Sequence, residues 1–422
     1  NEALGTGLHI EQATDRLQVL PEAEFVVAAP AHDNNACWRL DFQIPLKYGI
    51  KQVFGGNGGP GGLARSLRHI PLILGIARDM ERLCPKALLM NFTNPEGQIG
   101  LALSRYSEVS FVGLCHGVQT TLDLISGYLG VPKEEIDYTA GGINHMGWFL
   151  SLAHKGKDVY PQFKAICEQP EYYINEKVRI EVMRHFGYFM TESTGHLSEY
   201  IPWFRSHKHA LELYCDEPAF GGESGAYWKW CELIAHRLEN EDLLRDEPVE
   251  IQKRSVEYCS YIIEALETGK PFKFQGNVRN DGYITNLPEG CCAEVPVYAD
   301  RQGFHPVRVG ALPVQLAALN QSNVSVQGLA VEAAITGDPE LAMCACAMDP
   351  LTSAVLTLKE TRAMVAEMLE AEKEWLPQFK GKKLRATPDI PTPPGTKHAD
   401  VPLDPALAVV HRFGELAQKA AG

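Results

Sequence analysis

Asn94, Cys115, His116, Asn144 and His145 are residue types that do chemistry, and all of them fall within residues 91–150. They sit in three clusters, Asn91-Phe92-Thr93-Asn94-Pro95, Cys115-His116-Gly117 and Gly141-Gly142-Ile143-Asn144-His145. A thiolate and a neutral imidazole are donors for a divalent ion, and two such ligands leave coordination positions open to a substrate and water. Each piece alone also has a plainer reading: a lone Cys is mostly a small buried residue, and Asn-Pro mostly makes a turn.

The surrounding pattern is what positions these clusters. Short apolar runs at 87–92, 109–114 and 136–140 precede them, with helical patterns between, and predict strands of a largely parallel sheet. In such a sheet the ligand crevice lies beyond the carboxyl ends of the strands, so the three clusters are expected to converge there. A further buried strand is predicted at 25–29, and helices at 63–83, at 96–106 and from Cys115 to a stop at Gly130 ahead of Pro132. Downstream, Lys155-Gly156-Lys157-Asp158 predicts a hairpin turn, residues 250–268 a helix stopped by Gly269 and Pro271, and residues 359–375 an amphipathic helix. Residues 381–403 are rich in Pro and Lys and read as an extended linker, after which Asp404-Pro405 starts a short helix to Lys419.

Composition narrows the partners. A chain of 422 residues, 45% of them hydrophobic, is long enough for two or three domains. A net charge of −14 disfavours nucleic acid and anionic membranes, and the few clustered basic residues, Lys51, Arg65 and Arg68, are expected on a solvated surface. No apolar run is long enough to span a bilayer and no amino-terminal signal pattern is evident, so no membrane partner is expected. The 11 Cys follow neither a small-domain disulfide framework nor a zinc spacing, and Cys291, Cys292, Cys344 and Cys346 lie among apolar residues. That usage fits a reducing, cytoplasmic setting.

Two other stretches are chemically dense. The run Gly55-Gly56-Asn57-Gly58-Gly59-Pro60-Gly61-Gly62 opens a helical pattern, so its backbone N–H groups are candidates for an anion; it lacks the Lys-Ser/Thr of a P-loop, and alone it reads as a flexible loop. The segment from Thr191 to Phe204 holds Glu192, His196, Glu199 and Tyr200. His196 and Glu199 share a helix face, a spacing that suits a solvated pair equally well.

Asn-Pro after a strand, then Cys-His-Gly-Val-Gln, then Gly-Gly-Ile-Asn-His-Met-Gly-Trp, in this order, resemble glycoside hydrolase family 4, the NAD- and manganese-dependent glycosidases. The resemblance runs from about residue 11 to about residue 379. It implies an α/β fold: a doubly wound Rossmann-like domain over residues 1–144, then a mixed α+β domain for substrate and oligomerisation over 145–380, with 381–422 as linker and tail. Family members open with a strand, a Gly-rich turn and a helix around the cofactor pyrophosphate; these are missing here, so the chain is expected to be shortened at its amino end by roughly one βαβ unit. Residue by residue, the resemblance implies Cys115 and His145 as metal ligands and Asn94 as a sugar and cofactor contact. It further implies Asn144 as a substrate contact and Gly59 and Gly61 beside the cofactor.

In the family's phosphoglucoside branch an Asp follows the metal Cys as general acid, whereas Cys-His accompanies unphosphorylated glycosides. His116 stands at that place here, as acid or as a hydrogen-bonding neighbour of the ligands. Ser198-Glu199-Tyr200 followed by Pro202-Trp203 resembles the melibiase-like α-galactosidase branch, which places the catalytic base on Tyr200, with His196 lining the pocket or serving as an extra ligand. Tyr258 is the runner-up for the base, and Arg279, in Gly276-Asn277-Val278-Arg279-Asn280-Asp281-Gly282, a further substrate-contact candidate. The implied activity is NAD- and metal-dependent hydrolysis of small unphosphorylated α-glycosides, above all α-galactosides, by a homo-oligomer, dimer or tetramer. α-Glucosides and α-glucuronides are alternative substrates within the family. A hydroxy-acid dehydrogenase and a non-catalytic shortened remnant are the competing readings.

Overall fold

The computed structural model describes residues 5–32, 34–216, 218, 221–240, 254–397, 399, 401 and 404–420. The buried apolar runs form three short parallel strands, β1 (Phe25–Ala28), β2 (Leu88–Asn91) and β3 (Phe111–Leu114), with Phe25 opposite Leu88 and Leu89 opposite Phe111. Leu89, Met90 and Val112 are fully buried, as a sheet with helices packed on it requires. Those helices are α1 (Asn34–Lys47), α2 (Gly59–Leu83) and α3 (Glu96–Tyr106), followed by α4 (Gly117–Leu129), which ends on left-handed Gly130. The predicted strand at 25–29 and helices at 96–106 and up to Gly130 form as expected; α2 starts earlier than predicted, at Gly59.

The third apolar run departs from the expectation of a parallel sheet. It becomes β4 (Ile136–Ile143), which pairs antiparallel with β5 (Met146–His154) and touches β9 (Cys292–Asp300) at Gly142 opposite Glu294. The physical reason is the connection: only Asn144 and His145 separate β4 from β5, and a link that short joins only antiparallel strands. A second tight turn, with both Lys155 and Gly156 at positive φ, leads into β6 (Lys157–Asp158), the hairpin expected there. β7 (Phe189–Met190) pairs with β5, β8 (Phe272–Arg279) links β3 to β9, and β10 (Gly303–Pro306) pairs with β9. One sheet therefore runs through the expected boundary at 144/145, in the order β1-β2-β3-β8-β9-β4-β5-β6.

The helix expected over 250–268 begins at Cys259, after residues 254–258 without helix; 250–253 lie outside the described residues. Asp349 caps a helix that opens on Pro350, and Thr357 and Glu360 form a capping box for the helix Leu358–Ala371. Residues 5–384 belong to one compact unit, and the residues from Arg385 on form another, whose helix is Pro405–Ala420. Cys291, Cys292 and Cys346 are buried free thiols, whereas Cys344 is exposed.

Arg65 and Arg68 correct the expectation of a solvated basic patch. Arg68, on α2, is 3% exposed and grips Asp41 of α1 through two bonds of 2.9 and 2.6 Å while also pairing with Glu372. Its partners are distant in sequence, and all three residues are buried together. The glycines at the head of α2 are closely packed. A Cβ on Gly61 would lie 1.9 Å from the Gly55 carbonyl oxygen, so Gly61→Ala is expected to lower stability by about 1–3 kcal/mol, read as an earlier thermal transition; an unshifted transition would show that the loop gives way freely.

Candidate metal centre and substrate cavity

Cys115 follows β3 directly, in the single turn before α4. The hydroxyl of Tyr258 lies 2.9 Å from the Cys115 carbonyl and 2.7 Å from that of Gln275, and it accepts the Cys115 N–H at 3.3 Å. Tyr258 is thus committed to the backbone of the thiol segment. His145 reaches the same place from the β4–β5 turn, where it adopts φ of +59°, an uncommon conformation for a residue with a side chain. The third member, Glu192, is set by β7: Trp148 pairs with Met190, and the Thr191 N–H donates to the Gly147 carbonyl at 2.9 Å.

Ligand-type atoms of Cys115, His145 and Glu192 all lie within 4.8 Å of one another. The Cys115 thiol donates to Glu192 Oε1 at 3.4 Å. Gly117 permits the approach, because a Cβ there would fall 1.9 Å from Glu192 Oε1. Burial first, and Glu192 and Glu294 next, push the Cys115 thiol well above its ordinary range. Burial also acts to raise the Glu192 carboxyl, yet His196, His145 and the Ser193 N–H outweigh it and bring it to about 2. Burial pulls the His145 imidazole down, so it offers a neutral lone pair. A donor set of one sulfur, one nitrogen and one carboxylate suits a divalent transition ion, with positions left for a ligand.

These residues open onto a cavity of about 470 Å³ at the carboxyl ends of β1, β2 and β3, lined by Pro30, Thr93, Asn94, Cys115, His116, His145, Glu192 and His196 among others. Asn94 receives the Glu96 N–H on Oδ1 at 3.3 Å, and its carbonyl bonds His69 Nδ1 at 2.7 Å. His116 is half exposed on the rim, its Nδ1 2.7 Å from Glu257 Oε1. His196 is sandwiched between rings, 4.4 Å from His145 and 3.7 Å from Phe54. Asn57 Nδ2 donates to His196 Nε2 at 3.1 Å, which leaves Nδ1–H for Ser193 Oγ at 2.9 Å. Burial brings the His196 imidazole down to about 3, so it stands neutral.

Tyr200 ends the helix Thr194–Tyr200 beneath the ligand set, its hydroxyl 3.5 Å from His145 Nδ1 and its ring against Gly58. It is buried and is not among the cavity-lining residues; burial, then Glu199 and Glu192, push its phenol well above the ordinary value. Glu199 is no solvated partner of His196: its carboxylate accepts the N–H groups of Val53, Phe54 at 2.6 Å and Gly55 at 3.4 Å, and so fastens the loop that carries Phe54 and Asn57. Asn144 is buried beside His145 with its Nδ2 unpartnered and, like Tyr200, is not among the cavity-lining residues.

Three further expected residues stand elsewhere. Gly59 and Gly61 are not among the residues that line the cavity. Arg279 holds Asp281 at 2.8 Å and the Ser104 carbonyl at 3.4 Å, away from the cavity. Sequence reasoning missed Glu192 as a ligand-type residue and Glu257 as the partner of His116. The only signal for Glu192 was the density of functional side chains around it.

Parallel strands with a polar cavity at their carboxyl ends and an antiparallel extension define an α/β enzyme of the Rossmann-like class. Residues 1–131 match the family 4 glycosyl hydrolase model and residues 140–352 the family 4 glycosyl hydrolase C-terminal domain. The chain belongs to glycosyl hydrolase family 4. It is 39% identical to alpha-galactosidase of Bacillus subtilis over 88% of this chain and 86% of that protein, and 37% identical to alpha-galactosidase of Rhizobium meliloti over 88% and 77%. Its fold is shared with 6-phospho-beta glucosidase of Thermotoga maritima, solved with manganese, NAD+ and glucose-6-phosphate, at a TM-score of 0.71, 21% identity and coverage of 86% and 84%. Among the described residues no helix is long and apolar enough to cross a membrane.

Proposed function

We propose that this chain hydrolyses unphosphorylated α-galactosides with the help of a divalent metal and NAD. The observation that carries the proposal is the meeting of Cys115, His145 and Glu192 at one end of a cavity of about 470 Å³, a size suited to a small ligand. The names of the two alpha-galactosidases support the choice of sugar. Manganese or a similar ion fits the donor set, and its residues would be Cys115, His145 and Glu192. For NAD, the crevice at Pro30 and Asn94, beyond the carboxyl ends of the parallel strands, suits the redox end.

When bound, NAD would supply a hydride acceptor for sugar C3, returning the hydride after the leaving group has departed and water has added at C1, and an ion held by Cys115, His145 and Glu192 would supply the Lewis acidity that makes the C2 hydrogen acidic. Tyr200 Oη, against the ligand set, is the base that takes this proton; a nearby cation offsets the burial that otherwise keeps the phenol protonated. His116 Nε2 delivers a proton to the leaving oxygen, with Nδ1 fixed by Glu257 at 2.7 Å. Asn94 and Asn144 offer amide groups to sugar hydroxyls, and His196 holds the His145 ring in place. Eleven free thiols suit a cytoplasmic setting, and assembly as a homo-oligomer completes the proposal.

Turnover of a nitrophenyl α-galactoside in deuterated water, with NAD, manganese and reductant, is expected to yield galactose carrying deuterium at C2. Release without C2 label would overturn this route, and stoichiometric NADH would favour a dehydrogenase instead.

A further inference from the structure

Arg65 lies on the cavity wall, and the site described so far gives it no task. It is partly buried on α2, makes no hydrogen bond or ion pair among the described residues, and has an enclosed, unpartnered Nε. Buried cations are normally paired, because removing a charge from water is costly. Here the compensation is incomplete: burial draws the guanidinium down to about 10, and Asp41, which opposes that, is already bidentate to Arg68.

The place is nonetheless built to hold this group. The guanidinium carbon stacks 4.3 Å from the centre of the Trp38 ring, and the Trp38 indole is itself fixed by donation to the Phe54 carbonyl at 3.0 Å. Gly56 makes the room, since a Cβ there would lie 2.7 Å from Arg65 Nη1 and 3.2 Å from the Trp38 ring. Tyr227 extends the aromatic wall, 4.9 Å from Trp38. A flat cation held against a rigid aromatic plane, with donors to spare, is a fork without its partner.

We propose that Arg65 is a specificity-determining substrate contact, whose free N–H groups take a pair of adjacent hydroxyl oxygens of a neutral sugar. This rests on the glycosidase reading of the cavity. Neutral polyol is favoured over an anion because two carboxylates, Glu192 and Glu257, line the same cavity, in which Arg65 carries the one fixed positive charge among the described residues. The energetic signature follows from the missing partner. An arginine kept for the fold destabilises the protein when removed, whereas one kept for a ligand leaves a more easily buried wall behind.

The test compares wild type with R65M and R65K, using nitrophenyl α-galactoside turnover and the shift in melting temperature caused by added galactose. R65M is expected to raise KM on the order of 10- to 100-fold, the loss of hydrogen bonds from a charged donor. It should change kcat far less, abolish the galactose shift, and melt at or above the wild-type temperature without galactose. R65K, which keeps the charge but not the fork, should fall between, and it decides the matter if R65M fails to fold. A KM for R65M within about twofold of wild type, below the range set by such bonds, would overturn the assignment. So would a wild-type protein unmoved by galactose, or an effect confined to uronic or phosphorylated substrates. If the wild type turns over no α-glycoside yet is stabilised by galactose through Arg65, the glycosidase reading fails and the contact stands.

Discussion

Cys115→Ala is expected to bind no manganese at concentrations that saturate the wild type and to lose activity on the order of 10³-fold or more. The estimate follows from the role of the sulfur: an ion that stabilises transition-state charge contributes several kcal/mol, and each 1.36 kcal/mol is a factor of ten in rate. Without the thiol only His145 and Glu192 remain of the set. Losing a neighbour of a ligand alone costs about 10- to 100-fold in affinity, so losing the ligand costs more. The fold should be little disturbed, because the Cys115 backbone is held by Tyr258 and not by the sulfur. Metal content after gel filtration, manganese titration followed by electron spin resonance, and a thermal melt together check this. A variant that still takes up one ion per chain with wild-type affinity would place the metal elsewhere.

Arg68→Met should produce the largest loss of stability, about 3–5 kcal/mol, the usual result of removing one partner from a buried ion pair. Asp41 and Glu372 would be left facing each other with nearly no solvent access. Burial and the charge of Asp41 already push the Glu372 carboxyl well up, with Arg68 opposing them; once Arg68 is gone, nothing does. Urea unfolding measures the loss. The companion experiment replaces all three residues, with Asp41→Leu and Glu372→Leu added, and should recover most of it, since well-packed apolar groups substitute for a buried network at little cost. A loss below about 0.5 kcal/mol in the single variant, the range of ordinary surface substitutions, would show that the carboxyls shed their charge freely.

Local pattern carried much of the framework. The parallel strands, the helix over 96–106 and the stop at Gly130 stand where apolar runs, Asn-Pro and a terminal Gly put them. The convergence of Cys115 and His145 was legible as well, although by a different route from the one expected. Strand direction is not written in an apolar run, so the antiparallel course of β4 had to be inferred from its two-residue link to β5, and that signal was overlooked. Glu192 was illegible for a different reason: an acidic residue has many ordinary uses, and its closeness to Cys115 depends on a two-residue strand, β7. Arg65 and Arg68 resembled a surface pair because their burial is set by Trp38, Asp41 and Glu372, residues far away in the chain.

Glu199 and Tyr200 are neighbours in sequence with separate attachments, one to the amides of residues 53–55 and the other to His145. One peptide unit thus joins the anchor of the loop bearing Phe54 and Asn57 to the phenol beside His145, so a substitution that shifts either attachment bears on the other.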